Sequence, residues 1–415
     1  MNDRSIDFIR KLGLFSAGGF FITTTFSKGG AETFAAGAIF CALIILFKEK
    51  RYKNIDFKDP LIILIGLYLA WSFVSCLAGT GLRRSFIIFR DEWIFAVIPA
   101  MAIVLNSKER VVKMLKLLAI SAAIISIYAI IQHYMGYDIY RMEKLLPIET
   151  SRYRVSGFFN NTITFGNYFI ILAALLFPLV ELTESRKYKI AFGAASFLSA
   201  VAALLSYQRG VGLVFLGVSA LFLWYYRGRY LKILLPSVIL VVGLLCLLAP
   251  GLVGQHISHL KMELSGTNPR SRYVIWKSTV SMISERPVFG VGPGNFVENF
   301  LPYVHPTYPY YHNHAHNDYL NIAVHTGLPS LAFFLGIYWA MFGKFRKSLT
   351  DGDFVQTGRV ISSAVMNATI VFILTGLYES VTDDLELRIF LYALWGLFFA
   401  ASRHIKDEPV TTENS

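Results

Sequence analysis

Long apolar runs recur from one end of this chain to the other, and their length decides most of what it can fold into. The stretches 12–27, 30–47, 60–78, 93–105, 117–135, 163–182, 190–206, 211–226, 233–250, 320–342, 360–378 and 389–402 are apolar and flanked by polar or charged residues. About 20 such residues in a helix cross the hydrocarbon core of a bilayer. Inside lipid the backbone must satisfy its own hydrogen bonds, which favours helices for runs of this length. The expectation is an all-α polytopic membrane protein with about 12 transmembrane helices. Composition agrees, with 55% of the 415 residues hydrophobic and 16% charged. Soluble domains carry about a quarter charged residues, so neither a soluble globular enzyme nor a disordered chain fits. Cys41, Cys76 and Cys246 all lie inside apolar runs, which argues against a disulfide framework or a cysteine metal site. The first run has a basic flank (Arg4, Arg10, Lys11) and is read as a span rather than a cleaved leader.

An even number of spans puts both termini on one side. With that side taken as cytoplasmic, its segments carry nearly all of the formal net charge of +12, as the positive-inside rule requires. The basic balance therefore reports topology and calls for no nucleic acid. Lysine leads on the cytoplasmic side and arginine on the outer side. A guanidinium grips phosphate with two parallel hydrogen bonds, so an arginine-rich outer face points to a phosphate-bearing partner there. The spans divide the chain into an N-terminal bundle, 1–250, with about nine spans; an outer loop, 251–319; and a C-terminal part, 320–415, with three spans and a short cytoplasmic tail. No span carries an obvious ionisable residue near its centre, which disfavours an ion-coupled carrier. The outer loop is too long for a plain connector. The pattern is that of an enzyme working at a membrane surface.

The strongest constellation is His312-Asn313-His314-Ala315-His316-Asn317-Asp318-Tyr319-Leu320, with His305 upstream and His325 downstream. An imidazole accepts a proton near neutral pH and can serve as general base for a sugar hydroxyl. Interfacial histidines that merely decorate a membrane edge are the plain alternative. A metal site is a third reading, disfavoured because no HExxH glutamate and no paired aspartates accompany them. Upstream, Asn268 and Pro269 suit a helix start, and Arg272 and Trp276 share a helix face. The stripe Ile275, Trp276, Val280, Ile283 predicts a helix lying on the membrane or the bundle, stopped by Pro287. Gly290-Val291-Gly292-Pro293-Gly294 follows no strand, so it is read as a tight turn whose amides could cradle an anion. Arg209 sits in the Ser206–Gly210 turn, Arg152 and Arg154 precede Gly157-Phe158-Phe159-Asn160, and Arg83, Arg84 and Arg90 crowd a third outer loop. Each alone suits an interface anchor equally well; together they describe one cationic outer cavity. Glu379, Asp383, Asp384, Glu386 and Arg388 form a last outer turn, either solvated or orienting the histidines and arginines. The chain has no G-x-x-x-x-G-K-[ST] loop, no G-x-S-x-G elbow and no convincing outer Asp-x-Asp, so arginines would have to neutralise any pyrophosphate.

Three motifs in order resemble the O-antigen ligase (WaaL) group of the O-antigen ligase/polymerase superfamily. They are Ser206-x-x-Arg209-Gly210; Arg272-x-x-x-Trp276 with Pro287-x-x-Gly290-x-Gly292 and Asn295-Phe296; and His314-x-His316-Asn317-x-Tyr319-Leu320 with Gly327 beyond. Arg154-x-x-Gly157-x-x-Asn160 is also similar to a family segment. The resemblance covers roughly the second half of the chain. It implies a multi-pass glycosyltransferase of the bacterial inner membrane, with both termini cytoplasmic and a periplasmic site. Such an enzyme moves a glycan from undecaprenyl pyrophosphate to a sugar hydroxyl of lipid A–core, without metal, cofactor or nucleotide. By carry-over Arg209 and Arg272 hold the pyrophosphate and His316 is the proton acceptor, with His314 next in line. Arg83, Arg84, Arg90, Arg152, Arg154, Trp276, Asn317 and Tyr319 are expected to bind substrate. A polymerase or protein O-oligosaccharyltransferase of the same superfamily is the alternative, and a lipid-linked glycan flippase a more distant one.

Overall fold

The computed structural model describes residues 3–149, 152–225, 272–304, 312–351 and 356–406, together with Pro236, Ile239 and Gly243. The described residues are helical apart from two small antiparallel pairings, Tyr137–Asp138 with Glu143–Lys144 and Pro147–Glu149 with Arg152–Tyr153, and the loops between elements. Among them, 8 helices are long and apolar enough to cross a membrane: Lys28–Lys48, Pro60–Ala78, Lys108–Met135, Thr162–Leu182, Arg186–Leu205, Asp318–Thr350, Gln356–Thr375 and Leu385–Ser402. The all-α polytopic fold expected from the apolar runs is the fold observed. Several of these helices start where a short polar side chain takes up an otherwise orphaned backbone N–H. Ser27, Asp59, Ser107, Asn161 and Asn317 each accept such a bond at a helix N-terminus.

Three expected spans take a different form. The run 12–27 belongs to a helix that starts at Asp3 and ends at Thr23. The run 211–226 falls in the helix Arg209–Tyr225 of 17 residues. The run 93–105 is not one span: a helix Leu82–Phe89 leads into a 3-10 stretch, Arg90–Ala96, and then the helix Val97–Val104. Arg90, Asp91 and Glu92 interrupt the apolar pattern there. The run 233–250 lies outside the described residues, apart from three single positions, as do Asn268, Pro269 and His305.

The most enclosed helices are Thr162–Leu176 and Leu385–Lys406, with Tyr168, Phe169, Phe390 and Trp395 fully buried. Lys28–Lys48 packs a seam of small residues, Ala31, Ala35, Ala38 and Ala42, towards its neighbours and turns Phe40, Leu43 and Phe47 outward. Small residues inside and large apolar ones outside suit helix packing in lipid.

One end of the bundle gathers the segments 79–84, 136–149, 152–161, 206–209, 286–304, 312–318 and 376–384. Backbone bonds stitch them together: Thr80 N–H to Val291 O (2.9 Å), Val155 N–H to Leu205 O (3.3 Å) and Asp318 N–H to Gly376 O (2.8 Å). The opposite end is pinned by Arg10 on Glu49 (2.8 Å) and Lys344 on Asp59 (2.5 Å).

Candidate active site

The site is assembled on a break in a helix. The backbone is helical from Asp318 to Thr350 except at Gly327, which stands at φ 87°, ψ 168°, so two helices meet there at an angle. The polar backbone groups around the break find partners on neighbouring segments. Thr326 O accepts from Trp71 Nε1 (3.2 Å) and Ser75 Oγ (3.0 Å), and Leu328 N–H donates to Pro287 O (2.8 Å). Val291 and Gly292 N–H donate to Val324 O (2.8 Å) and His325 O (2.9 Å). The glycine turn is therefore a clamp on the broken helix. These amides are committed to protein carbonyls, so the turn does not serve as an anion nest.

The break fixes the short first helix, and that helix fixes the histidines. Asn317 caps it by accepting from Leu320 N–H (3.0 Å) and donates to Leu377 O (2.8 Å). Buried Asp318 accepts from Thr382 N–H (2.9 Å) and Oγ1 (2.6 Å). Tyr319 OH donates to Ile373 O (2.9 Å) and Trp276 Nε1 to Ala315 O (3.0 Å). The sequence places Asn317, Tyr319 and Trp276 among the substrate contacts; in the structure each spends a polar atom on a backbone carbonyl and supports the histidine segment. Trp276 lies on the helix Arg272–Glu285, which buries Ile275, Ser278, Thr279 and Met282. Val280, expected on the packed stripe, is 54% exposed, because the buried row runs one position earlier.

At the centre stands Glu379, 3% exposed. His316 Nδ1 lies 2.6 Å from its Oε1, and Arg272 Nη2 donates to its Oε2 at 3.3 Å. Burial alone would raise the Glu379 carboxyl. The hydrogen bond from His316 and the charges of His316, Arg272 and His314 outweigh it and hold the group below the ordinary carboxylate value. An ionised carboxylate only accepts, so Nδ1 of His316 donates to Glu379, which leaves Nε2 as the ring nitrogen that Glu379 does not engage. His314 stacks on His316 with ring centroids 4.3 Å apart, and its Nδ1 is 3.9 Å from Glu379 and 3.8 Å from Asp383. Burial first, then the His316 charge, depresses His314 to about 4; burial and its histidine neighbours do the same for His312, also to about 4. Both are neutral at neutral pH.

The arginines do not share the single cavity expected. Arg272 lies over the Tyr378 ring, 5.8 Å from its centroid. The same ring packs so closely on Gly210, next to Arg209, that a Cβ there would sit 1.8 Å from it. Arg154 donates to Ser206 O (3.3 Å) and Tyr207 O (3.5 Å), and its guanidinium is depressed by burial and by the charge of Arg209. Arg154, Arg209 and Arg272 thus converge around Tyr378, beside Glu379 and His316. Arg152 sits on the neighbouring hairpin strand Arg152–Tyr153. Arg83 and Arg84 line a separate groove with Asn295, Glu298 and Asn299. Arg90 is exposed, 3.6 Å from Asp91.

His314, His316 and Glu379 each offer one ligand atom, all within 4.8 Å of one another. Ligands of one tetrahedral zinc stand roughly 3.3 Å apart, whereas His316 and Glu379 at 2.6 Å are hydrogen-bonded. A metal would have to break that bond to enter.

Glu379 and Tyr378 are the site members that spacing rules could not single out. Glu379 is 63 residues from His316 and 107 from Arg272 in sequence. The signal the sequence does hold is a carboxylate at the end of an apolar span, on the same face as the histidines.

No curated protein matches the chain. Residues 194–335 match a family model described as O-antigen ligase. The matched stretch contains Arg209, Arg272 and the histidine segment, while Arg154 and Glu379 come from outside it. Over residues 194–335 the chain is thus similar to the O-antigen ligase family.

Proposed function

We propose that this chain is the O-antigen ligase itself: a glycosyltransferase of the bacterial inner membrane that works on its periplasmic face. It moves a glycan from undecaprenyl pyrophosphate to a sugar hydroxyl of lipid A–core. The observation that carries this reading is the His316–Glu379–Arg272 arrangement, which joins a base to an anion-binding group through one buried carboxylate.

The acceptor hydroxyl oxygen attacks the anomeric carbon as His316 Nε2 takes its proton. Glu379 holds the imidazole in the tautomer that leaves Nε2 open. General-base help of this kind is worth about 10²–10⁴-fold. The anomeric carbon–oxygen bond breaks with inversion, and its electron pair leaves on undecaprenyl pyrophosphate. Arg154, Arg209 and Arg272 stabilise the charge gathering there, at a membrane edge where water is scarce. Among the three histidines, His316 is the base because it alone makes the short contact with Glu379. His314 packs behind it, neutral.

The test is transfer by purified protein from lipid-linked glycan to lipid A–core in the presence of EDTA. Wild type is expected to work, His316→Ala to lose 10²-fold or more, roughly the general-base contribution, and the double variant Arg209→Ala/Arg272→Ala to lose at least as much. Full activity in either variant sinks the assignment. Dependence of the wild type on added zinc would replace the base mechanism with the metal reading of the same three residues. A polymerase would instead lengthen the lipid-linked chain and leave lipid A–core unmodified.

A further inference from the structure

Arg83 and Arg84 sit apart from the histidines, in a groove of about 630 Å³ between the helix Leu82–Phe89 and the segment Asn295–Asn299. That volume suits one ligand headgroup. The groove is built rather than incidental. Asn299 Nδ2 donates to Thr80 Oγ1 (2.9 Å), Asn295 Nδ2 to Ser85 Oγ (2.9 Å), and Arg84 pairs with Glu298. Arg83 is exposed and has no ion-pair partner among the described residues. Beside it Leu82 and Ile87 expose about half of their surface, 52% and 50%. On the helix's other side Phe86 and Phe89 pack on Phe73. A short helix with arginines and bare aliphatic side chains together is the pattern of an element lying at the headgroup–acyl boundary.

The groove also adjoins the chemistry. Glu298 and Asn299 lie on the helix Phe296–Phe300, whose opposite face carries Phe300 against His312 (6.1 Å) and Phe296 against His325 (6.1 Å). His312 in turn is 5.7 Å from His316. Arg272, by contrast, pairs with Glu379 and lies over Tyr378, near the turn of Arg209.

We infer that this groove seats the acceptor: an anionic, phosphorylated glycolipid of the outer leaflet, with a phosphate on Arg83 and its acyl chains along Leu82 and Ile87. The inference rests on the transferase reading and deepens it, since it gives the two lipids separate arginines on either side of one base. Only a ligand both anionic and lipidic uses both walls of the groove.

The experiment uses full-length protein with lipid A–core, and with the same glycolipid after phosphatase treatment. Arg83→Glu is expected to raise the acceptor KM roughly tenfold to a hundredfold, the loss of one charge-assisted contact, while the donor KM changes less than about twofold. With the dephosphorylated acceptor, variant and wild type converge. Ile87→Trp, which fills the apolar wall without altering charge, is expected to raise the acceptor KM as well. An acceptor KM within about twofold of wild type in Arg83→Glu, or a rise in the donor KM instead, overturns the proposal. Should the wild type transfer no glycan, the transferase reading fails, and retention of lipid A–core by the purified proteins in native mass spectrometry decides the groove alone. Retention by wild type and loss in Arg83→Glu upholds it; equal retention overturns it.

Discussion

His316 adopts φ 51°, a left-handed backbone that a residue with a Cβ occupies only under constraint. Such a conformation costs about 1–3 kcal/mol. The constraint is visible on both sides: Ala315 N–H donates to Asn321 Oδ1 (3.2 Å), and Asn317 is tied to the helix it caps. What the strain secures is the aim of the imidazole at Glu379. In the proposed mechanism Glu379 is accordingly a positioning residue. Glu379→Gln keeps an acceptor but loses the charge that holds the tautomer, and its kcat is expected to fall by about 10²-fold, within the range of general-base contributions. Glu379→Ala, which also frees Arg272, is expected to lose more and to raise the donor KM; equal kcat in all three proteins would end the role. Acid has its own signature. His314 is held at about 4 against an ordinary 6.5. Between those values the unfolded chain binds the extra proton, so stability rises with pH across that window and drops as the solution is acidified. Glu379 acts in the same direction: its stabilisation is present above the ordinary carboxylate value and is lost as pH falls through its lowered folded value. The melting temperature is expected to fall from about pH 6.5 to about 4, and His314→Asn to flatten that fall by ~1 kcal/mol, reduced for partial exposure. A wild-type melting temperature constant over that range would contradict the burial of His314.

At the scale of elements, the decisive device is a broken helix clamped by glycines. A Cβ at Gly327 would stand 1.9 Å from Val288 O, on a backbone at φ 87°. Gly327→Ala is expected to cost several kcal/mol or to free the histidine segment, read as protease cleavage before Asp318 and loss of transfer, because both strain and a backbone clash act. Gly210→Ala strikes the Tyr378 ring instead of backbone. A milder melt but a raised donor KM is expected, since the ring carries Arg272. Capping, spans and turn glycines are legible in the sequence because they obey local rules: Asn317 before an apolar run, Gly290 and Gly292 after Pro287. The histidine segment and the helix of Arg272 are legible for the same reason. What spacing cannot supply is the pairing of Glu379 with His316, or of Arg154 with Arg209, since these meet only when separate spans pack. The charged trio Arg90-Asp91-Glu92 does signal that 93–105 is not a simple span, but the apolar residues that follow mask it.

For the whole molecule, segregation of the candidate site and of basic charge between the two ends of the bundle is the property on which the proposed function depends. The histidines, Glu379, the three converging arginines and the groove of Arg83 all lie at one end. The other end carries Arg10 and Lys11 on the helix Asp3–Thr23 and Lys48, Arg51, Lys53 and Lys58 between Lys28–Lys48 and Pro60–Ala78, then Lys108 and Arg110, Arg186 and Lys187, and Lys344 to Lys347. Lysines and arginines near span ends stay on the cytoplasmic side during insertion, so the proposed orientation puts the basic end in the cytoplasm and the site end in the periplasm. The hairpin after Met135 fits that orientation, exposing Tyr140, Met142 and Leu146 at the site end, where an outer leaflet can receive them. In a variant lacking the three native cysteines, single cysteines at Tyr140 and Glu298 are expected to react with a membrane-impermeant maleimide in intact spheroplasts. Cysteines at Tyr52 and Lys187 are expected to react only after permeabilisation. The opposite pattern would put the base and its arginines in the cytoplasm, away from any acceptor in the outer leaflet. A mixed pattern, with Tyr140 and Glu298 on different sides, would contradict the gathering of both segments at one end of the bundle.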